Sequence, residues 1–385
     1  MKRFAFFALI LLSMFLLLSA GINYFFPTPS FMPGGRDELK LYEKAPDYKA
    51  NSLLLRSPER AFNSISAKQL KYSTVSFDED LIAKMPPGGH LQGVQVYLHD
   101  GKKYMYLSHD SSDTHPYLII AEQKKEYLWE ARRVLLIDYD TTIFGDSLRH
   151  VGGIQVCDNY LVAGLEDNIG KKNSLIVFYD ISEPLNPLKL PNLTIKRSSE
   201  TEKEKTAGAV GIISYSRDNI DGYLLVVANW DSNELDFYFI TGDLRELNSE
   251  GSVGYEATPF FTWQSRERED ADWFPDGGWG SYQSVNFVKD YSGNLYLFCT
   301  ASSGKIIGRD IIDFFRVQIN SEDNSVSLTK KDKKILDTGL YNPLSRKAHL
   351  IYGGGVLVRD DETMVLLATA GYIRGNTLRI VVSGP

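Results

Sequence analysis

The amino-acid sequence predicts an all-β fold assembled from repeated units, on three observations. Phe, Tyr and Trp, which favour strands, make up 12% of the 385 residues. Short apolar runs bounded by Gly, Asp, Asn or Ser dominate the chain, whereas no long amphipathic helix is convincing. Related segments also recur along the chain. The apolar runs that predict strands include residues 104–107, 117–121, 134–137, 175–179, 224–228, 295–299 and 378–382.

The first element is an apolar N-terminal segment, residues 1–26. Lys2 and Arg3 precede an apolar stretch that is long enough to cross a bilayer as a helix. Residues 18–20 form an imperfect cleavage site, so a signal anchor and a cleaved signal peptide are both open. In either case the body is expected outside the cytoplasm, in a single-pass membrane protein or in a secreted or periplasmic one. Residues 27–66, rich in Pro and Gly at first and then in mixed charges, predict a linker.

A segment in which a small residue precedes a β-branched or apolar one recurs five times. Residues 90–96 (HLQGVQV), 150–156 (HVGGIQV) and 352–358 (YGGGVLV) match well, and residues 208–213 and 281–287 are weaker copies. A turn and a second strand follow each copy, and the units are roughly 60 residues long or slightly longer. Five units of about four antiparallel strands describe a five-bladed β-propeller, whose first strands line a crowded channel where small residues fit.

The last unit is too short for four strands, because the chain reaches Pro385 first. Residues 69–77 alternate like a strand and precede the first unit. We therefore predict that they pair as the outer strand of the last unit and close the ring, which removes two sheet edges. The propeller is expected to span residues 67–385. A six-bladed ring is an alternative if a degenerate copy lies in residues 231–281.

Charge and cysteine content exclude several functions. With 42 Lys and Arg against 49 Asp and Glu, the net charge is −7, which argues against a nucleic-acid partner. Cys157 and Cys299, the only cysteines, lie in apolar strand patterns and are expected to be buried. The sequence contains neither a Gly-x-Ser-x-Gly nucleophile motif nor a phosphate-binding loop followed by a helix. Serine hydrolase chemistry and nucleotide binding are therefore not indicated.

Candidate ligand-binding residues collect at one mouth of the predicted channel. In an antiparallel blade, the start of the first strand and the end of the second lie at the same rim. His90 and His150 are therefore expected to share one cavity with at least one of Asp110, Glu166 and Asp231. The whole set combines rim residues, three deeper channel residues and nearby loop aromatics: His90, Gln92, Gln95, His109, Asp110, His150, Gln155, Glu166, Trp230, Asp231, Trp279, Tyr282, Asn286, His349 and Tyr352.

These residue types allow three interpretations. Aromatic faces beside acids suit sugars or cations, so the set predicts a small ligand. Histidines with carboxylates can also bind a divalent metal, but no compact ligand spacing occurs, and we expect neither a metal nor another cofactor. Polar residues at the mouth of a channel can equally serve only to satisfy backbone groups and water.

One repeat resembles a known family. Residues 178–187, FYDISEPLNP, are similar to the LVIVD repeat of exported β-propeller proteins, and residues 150–155 resemble a segment of uncharacterised exported propellers. The first match covers one strand and turn, and later units depart from it. The resemblance implies the fold and export, and it carries no catalytic residues.

The sequence thus predicts an exported, membrane-tethered propeller that acts as a ligand-binding or protein-interaction module, because no catalytic constellation is evident. The first alternative is a hydrolase or lyase with its site at the channel mouth and with carbohydrate as the candidate substrate class. Five-bladed glycosidases rely on carboxylates from separate blades, whereas the first-strand starts here offer His, Gln and Tyr. The second alternative is a structural envelope scaffold without pocket chemistry.

Overall fold

The computed structural model describes residues 49–112, 115–201, 203–249, 258–265, 279–302, 308–338 and 347–384. The predicted apolar helix of residues 1–26 and the first part of the predicted linker lie outside these ranges. The chain divides into two units, residues 1–46 and 47–385, and the described residues belong to the second. Within them, no helix combines the length and the apolar character needed to cross a membrane.

Strands dominate the described residues, and the helices are short. The helices are Pro58–Ser64, Glu79–Ala83, Thr141–Phe144, Leu244–Ser249 and the 3-10 helix Pro191–Leu193. The strands are β1 (Leu54–Leu55), β2 (Lys71–Ser76), β3 (Leu91–His99), β4 (Lys102–His109), β5 (Tyr117–Lys125), β6 (Leu128–Leu136), β7 (His150–Val151), β8 (Gln155–Cys157), β9 (Tyr160–Glu166), β10 (Asn173–Asp180), β11 (Leu188–Lys189), β12 (Ile195–Ser198), β13 (Ala209–Arg217), β14 (Ile220–Ala228), β15 (Glu234–Thr241), β16 (Phe261–Gln264), β17 (Tyr282–Asp290), β18 (Leu295–Ser302), β19 (Asp310–Asn320), β20 (Ser325–Ile335), β21 (Gly354–Val358), β22 (Met364–Thr369) and β23 (Thr377–Ser383).

Strands that are near in sequence pair antiparallel in groups that we call the first to the fifth sheet. Among the described residues they comprise β3–β6, β7–β12, β13–β16, β17–β20 and β21–β23, and the first and fifth are joined through β2 and the pair of β21 with β3. Each recurring segment of the sequence begins one group, and each predicted second strand is the next full strand. Within residues 231–281, the described part forms β15, β16 and helix Leu244–Ser249 of the third group. This all-β arrangement fits a β-propeller.

The second strands are largely apolar because both faces of their central part are covered. Every residue of β9 is buried. Leu161, Ala163 and Leu165 belong to one hydrophobic cluster, and Val162 belongs to another. A strand that faces two clusters shows a continuous apolar run instead of alternation, which is the pattern seen in the sequence. Cys299, on β18, is likewise buried and free, as is Cys157 on β8.

The first strands of different sheets approach one another at glycines. A parallel register pair joins Gly93 on β3 to Gly354 on β21, and a parallel bridge joins Gly153 to Ala209. A Cβ atom at Gly153 would overlap the carbonyl oxygen of Gln283 in the fourth sheet. The small residue of the repeat is therefore required by close packing between backbones, as its position predicts.

Strand β2 completes the fifth sheet by pairing antiparallel with β23. This pairing confirms the prediction made for residues 69–77. Val75 is fully buried, and Nε1 of Trp129 donates a hydrogen bond to Oγ of Ser73 at 2.8 Å. Residues 74–76 also pair in parallel with β6 of the first sheet. Strand β2 therefore holds the fifth and first sheets together.

The described part of the predicted linker is packed structure, which corrects that prediction for residues 49–66. Helix Pro58–Ser64 places Phe62 in the core, where its ring stacks on Phe314 with centroids 5.0 Å apart. Nζ of Lys334 donates hydrogen bonds to three carbonyl oxygens at the end of the helix, among them that of Phe62 at 2.6 Å.

Residues 49–56, which we call the strap, cross the end of the ring opposite to the start of β3. The side chain of Asn51 hydrogen-bonds both backbone polar groups of Leu98 in the first sheet. The backbone carbonyl of Asn51 accepts a hydrogen bond from the backbone nitrogen of Asp158 in the second sheet at 2.8 Å. Strand β1 pairs in parallel with β17 of the fourth sheet. The strap therefore ties together the ends of first strands that belong to three sheets.

Candidate functional site

A cavity of about 250 Å³ lies at the rim where the first strands begin. This volume is below the range of roughly 300–1,000 Å³ that is typical of drug-sized ligands, so it suits a smaller molecule. All five sheets or the turns that lead into them contribute to its wall, which places it where the sheets converge. The lining residues are His90, Gln92, Asp110, His150, Glu166, Asn168, Gly208, Trp230, Gln283 and Ile351.

Strand direction brings the histidines and the carboxylates together. Strand β3 begins beside the end of β4, and β7 begins beside the end of β9, where His150 pairs with Glu166. The residue before β3 is His90, and the residue after β4 is Asp110. All four side chains line the cavity, in agreement with the expectation of one shared cavity.

The pair formed by His150 and Glu166 is the most buried part of the site. Nδ1 of His150 lies 2.8 Å from Oε1 of Glu166, and the side chains are 7% and 0% exposed. The other carboxylate oxygen accepts a hydrogen bond from the backbone of Ala207 at 2.6 Å. Burial disfavours the charged imidazole, but the charge of Glu166 and, to a smaller extent, that of Asp110 outweigh it and raise the pKa of His150 above its ordinary value.

His90 forms a second, more open pair with Asp110. Oδ1 of Asp110 accepts a hydrogen bond from the backbone of His90 and lies 3.3 Å from its Nδ1. Nε2 of Gln92 lies 2.7 Å from the same nitrogen. Burial opposes ionisation of Asp110, but the hydrogen bonds and charge of His90 lower the pKa of Asp110 to about 2. The ring of Tyr352 supports His90 from behind, with centroids 6.0 Å apart.

Trp230 supplies the aromatic wall of the cavity. Its ring lies 5.2 Å from that of His150, and Nζ of Lys171 lies 5.0 Å from its centroid. Its backbone nitrogen donates to Oγ1 of Thr206 at 2.6 Å. The contact with the lysine is a cation–π interaction, which holds the indole in place beside the histidine.

Three predicted ligand-binding residues have structural contacts deeper in the ring. Nε2 of Gln95 donates to Oδ1 of Asn286 at 3.0 Å. Oε1 of Gln155 accepts from the backbone nitrogens of Ile212 and Phe287, at 2.9 and 3.0 Å. These amides join first strands of different sheets, deeper in the ring than the cavity lining, as expected, and their polar atoms are taken up by structural hydrogen bonds.

Two predicted histidines also lie outside the cavity lining. The ring of His109 stacks on Tyr117 at 4.6 Å, and burial lowers the pKa of His109 despite a bond to the carbonyl of the next residue. Nδ1 of the fully buried His349 lies 3.0 Å from Oδ2 of Asp310. His109 packs within the first sheet, whereas His349 contacts Asp310 of the fourth sheet, and neither lines the cavity in which they were expected.

Tyr282, Trp279 and Asp231 likewise fall outside the lining. The hydroxyl of Tyr282 donates to Oδ2 of Asp313 at 2.6 Å, within the fourth sheet. Nε1 of Trp279 donates to the carbonyl of Ser232 at 2.6 Å, and its ring packs 4.8 Å from that of Tyr282. The loop aromatics therefore fill a space between the third and fourth sheets, where they have a packing role.

Four lining residues were absent from the predicted set: Asn168, Gly208, Gln283 and Ile351. Gln283 follows Tyr282 on β17, and neighbouring strand residues point to opposite faces. The predicted set therefore contained Tyr282, which has a packing role, and left out its neighbour Gln283, which lines the cavity. Asn168 lies just beyond Glu166, where the strand has ended and no period fixes the direction of the side chain.

The charges of the cavity define what it accepts. Asp110 and Glu166 carry negative charge, and His150 balances part of it. Among the residues that the structure describes, no group of three or more His, Cys, Asp or Glu side chains is arranged to hold a metal ion. The wall thus offers hydrogen-bonding groups and one indole face at a small, polar site.

Comparison with known proteins gives only distant likenesses. No protein-family model matches the chain, and no curated protein matches it in sequence. A solved GDP-Man-dependent mannosyltransferase from Leishmania mexicana has a TM-score of 0.43 at 12% identity, covering 81% of this chain and 89% of its own. An endo-arabinase from Bacteroides thetaiotaomicron has 0.42 at 11%, covering 77% and 94%. A thermostable family-43 glycoside hydrolase has 0.40 at 11%, covering 78% and 91%. At these scores the likenesses assign neither a substrate nor a reaction.

Proposed function

We propose that the chain is a five-bladed β-propeller that binds a small, uncharged, hydroxyl-rich molecule of the carbohydrate class in its axial cavity. The five blades correspond to the five sheets, with β2 as the outer strand of the fifth. The observation that carries the proposal is the convergence of all five sheets on one cavity with a polar wall and one indole.

The composition of the wall favours a neutral polyol over other ligands. Imidazole, amide and carboxylate groups can each bond a hydroxyl, and Trp230 offers an apolar face of the kind on which sugar rings stack. The charges of Asp110 and Glu166 oppose an anionic ligand. The volume of about 250 Å³ limits the ligand to about one ring.

A panel of free monosaccharides and methyl glycosides tests this function by saturation-transfer NMR on the purified body. We expect signals for at least one neutral sugar, and weaker signals with Trp230→Ala and Gln92→Ala. Exposed Leu188, replaced by Ala, serves as the matched control. If no sugar gives a signal at millimolar concentration, the protein-interaction and scaffold alternatives gain support.

The second candidate is hydrolysis or elimination of a carbohydrate at the same cavity. It is favoured by one observation: His150, whose pKa is raised, and the ionised Asp110 line the same cavity. His150 is suited to donate a proton, and Asp110 is suited to stabilise positive charge. Release of nitrophenolate from aryl glycosides, absent with His150→Gln, would support this candidate.

Export is part of the proposal and rests on residues 1–26. The basic residues at positions 2 and 3 and the apolar segment after them would place the body outside the cytoplasm. A reporter that works only outside the cytoplasm should be active when it is fused after Pro385. A fusion that is active only in the cytoplasm contradicts this topology.

A further inference from the structure

We propose that the cavity catalyses the opening and reclosure of the hemiacetal ring of a small free sugar, with His90 and His150 as its proton-transfer groups. The inference rests on the proposed function, since the sugar must first bind. It adds an activity that requires neither a leaving group nor an attacking water.

Two imidazole–carboxylate pairs occupy matching positions in neighbouring sheets. In each pair the histidine stands at the start of the first strand, and the carboxylate stands at the end of the second strand or just beyond it. Nδ1 of His150 is 2.8 Å from Glu166, and Nδ1 of His90 is 3.3 Å from Asp110. Both histidines line one cavity. The site therefore holds two proton carriers, each with its own carboxylate.

The geometry of each pair assigns the reacting atom. A carboxylate at Nδ1 fixes the orientation of an imidazole and stabilises its charged form, as in other acid–base sites. The opposite nitrogen, Nε2, is then the atom that exchanges a proton with a bound molecule. At His90 this requires that the amide of Gln92, which lies 2.7 Å from Nδ1, presents its oxygen to that nitrogen. Glu166 is in turn fixed by the backbone of Ala207, so the ring of His150 is held from two sheets. Glu166 and Asp110 are positioning residues.

Other groups of the wall are less suited to the chemistry. None of the ten lining residues carries a hydroxyl or a thiol, so the wall offers no nucleophile of that kind. Asp110, with a pKa of about 2, is a weak base near neutral pH. The imidazoles are the groups that remain for proton transfer. His150, whose pKa is raised, is suited to be the first donor.

The reaction balances within the site. Nε2 of His90 takes the proton of the anomeric hydroxyl while the bond between the anomeric carbon and the ring oxygen breaks. The ring oxygen receives a proton from Nε2 of His150, which gives the open-chain aldehyde. Rotation about the adjacent carbon–carbon bond presents the other carbonyl face. Reclosure reverses both transfers, so His90 returns its proton to the carbonyl oxygen and His150 regains its own.

Polarimetry on freshly dissolved α-D-glucose, α-D-galactose and α-D-xylose, in dilute buffer near neutral pH, tests the activity directly. We expect the rate of approach to equilibrium to increase in proportion to protein concentration for at least one sugar. His90→Gln and His150→Gln should each lower the protein-dependent rate by about 100-fold or more. Glu166→Gln should lower it less and displace its pH profile.

His99→Gln is the matched control. His99 also lies beside a carboxylate, with Nε2 3.4 Å from Asp100, but it is at the opposite end of β3 from the cavity. This variant should keep the full rate. Thermal melting of each variant separates loss of activity from loss of folding, and His90→Gln remains informative if the buried His150→Gln does not fold.

The outcomes separate this inference from the proposed function. Binding of methyl α-D-galactoside or a free sugar by NMR, without acceleration of any sugar, overturns the ring-opening activity and leaves the binding function standing. An absence of both binding and acceleration overturns both. Acceleration that survives in folded His90→Gln and His150→Gln also overturns the assignment to the imidazoles.

Discussion

Nδ1 of His150 lies 2.8 Å from Oε1 of Glu166, and neither side chain is more than 7% exposed. His150 is the first residue of β7 and Glu166 is the last residue of β9. The two residues are antiparallel register partners, and this pairing brings their side chains together. A buried ion pair of this kind is costly to break by removal of one partner, because the other charge is left without compensation.

This pair predicts how stability depends on pH. The pKa of His150 is raised in the folded protein, so the pair contributes stability that is fully present below about pH 6.5, the ordinary value for His. That stability is lost as the pH rises through the folded pKa. Urea unfolding across the neutral and mildly alkaline range should show the decline in wild type, and a smaller one in His150→Gln. An unchanged slope in the variant contradicts the prediction, and His99→Gln is the control.

Asp110 predicts the opposite dependence in the acid range. Its pKa is lowered from 3.8 to about 2, so its contribution is present above about pH 4 and lost as the pH falls through the folded value. Asp110→Asn should lower the free energy of unfolding by about 2 kcal/mol near neutral pH. The difference from wild type should shrink toward pH 2. Asp100→Asn, at an 88% exposed side chain, should change little.

The burial of Phe62 predicts that the segment before the first sheet contributes to the stability of the folded protein. The ring of Phe62 is fully buried, stacks on Phe314 and lies tilted against Phe298. Phe62→Ala should cost about 3–5 kcal/mol, since it removes a large buried side chain. Chemical denaturation measures the loss, and Leu188→Ala, at a 61% exposed position, is the control. A cost below 1 kcal/mol would contradict a stabilising role for the contacts of this ring.

The repeat made the all-β fold and part of the site predictable from sequence. Because each copy begins a first strand, chain direction alone placed His90 and His150 beside Asp110 and Glu166. This inference requires only that neighbouring strands are antiparallel. It does not depend on any individual side-chain contact.

The rest of the site depends on contacts between sheets, which no local pattern encodes. Gln95, Gln155 and Asn286 share one repeat position, but Gln155 bonds the backbones of other sheets and Gln95 bonds the side chain of Asn286. A shift of one residue separates Tyr282 from the lining residue Gln283. The packing of residues 49–66 was also hidden, because Phe62 belongs to a segment too short to show a period.

The close approach of backbones at Gly153 predicts that no side chain is tolerated at this position. A Cβ atom there would overlap the backbone of Gln283, and backbone cannot move aside as a flexible side chain can. Gly153→Ala should lower the free energy of unfolding by about 2 kcal/mol or more, the range of overpacked interiors. Gly101→Asn is the control, because Gly101 has φ of 72° with open space around it and Asn tolerates that conformation. Equal stability of the two variants would contradict close packing of the first strands.

The closing pair of strands provides the last prediction. Thr74 on β2 and Arg379 on β23 are direct register partners, and neither side chain is buried. Antiparallel partners have Cα atoms about 4.5–5.5 Å apart, within reach of a disulfide. Thr74→Cys combined with Arg379→Cys should therefore form a bond under mild oxidation. Since this bond closes a loop of most of the domain, it should raise the free energy of unfolding by about 4 kcal/mol, and a reductant should remove the gain. Thr74→Cys alone should show neither effect. A double variant that stays reduced, or oxidises only between molecules, would mean that β2 does not pair with the end of the chain.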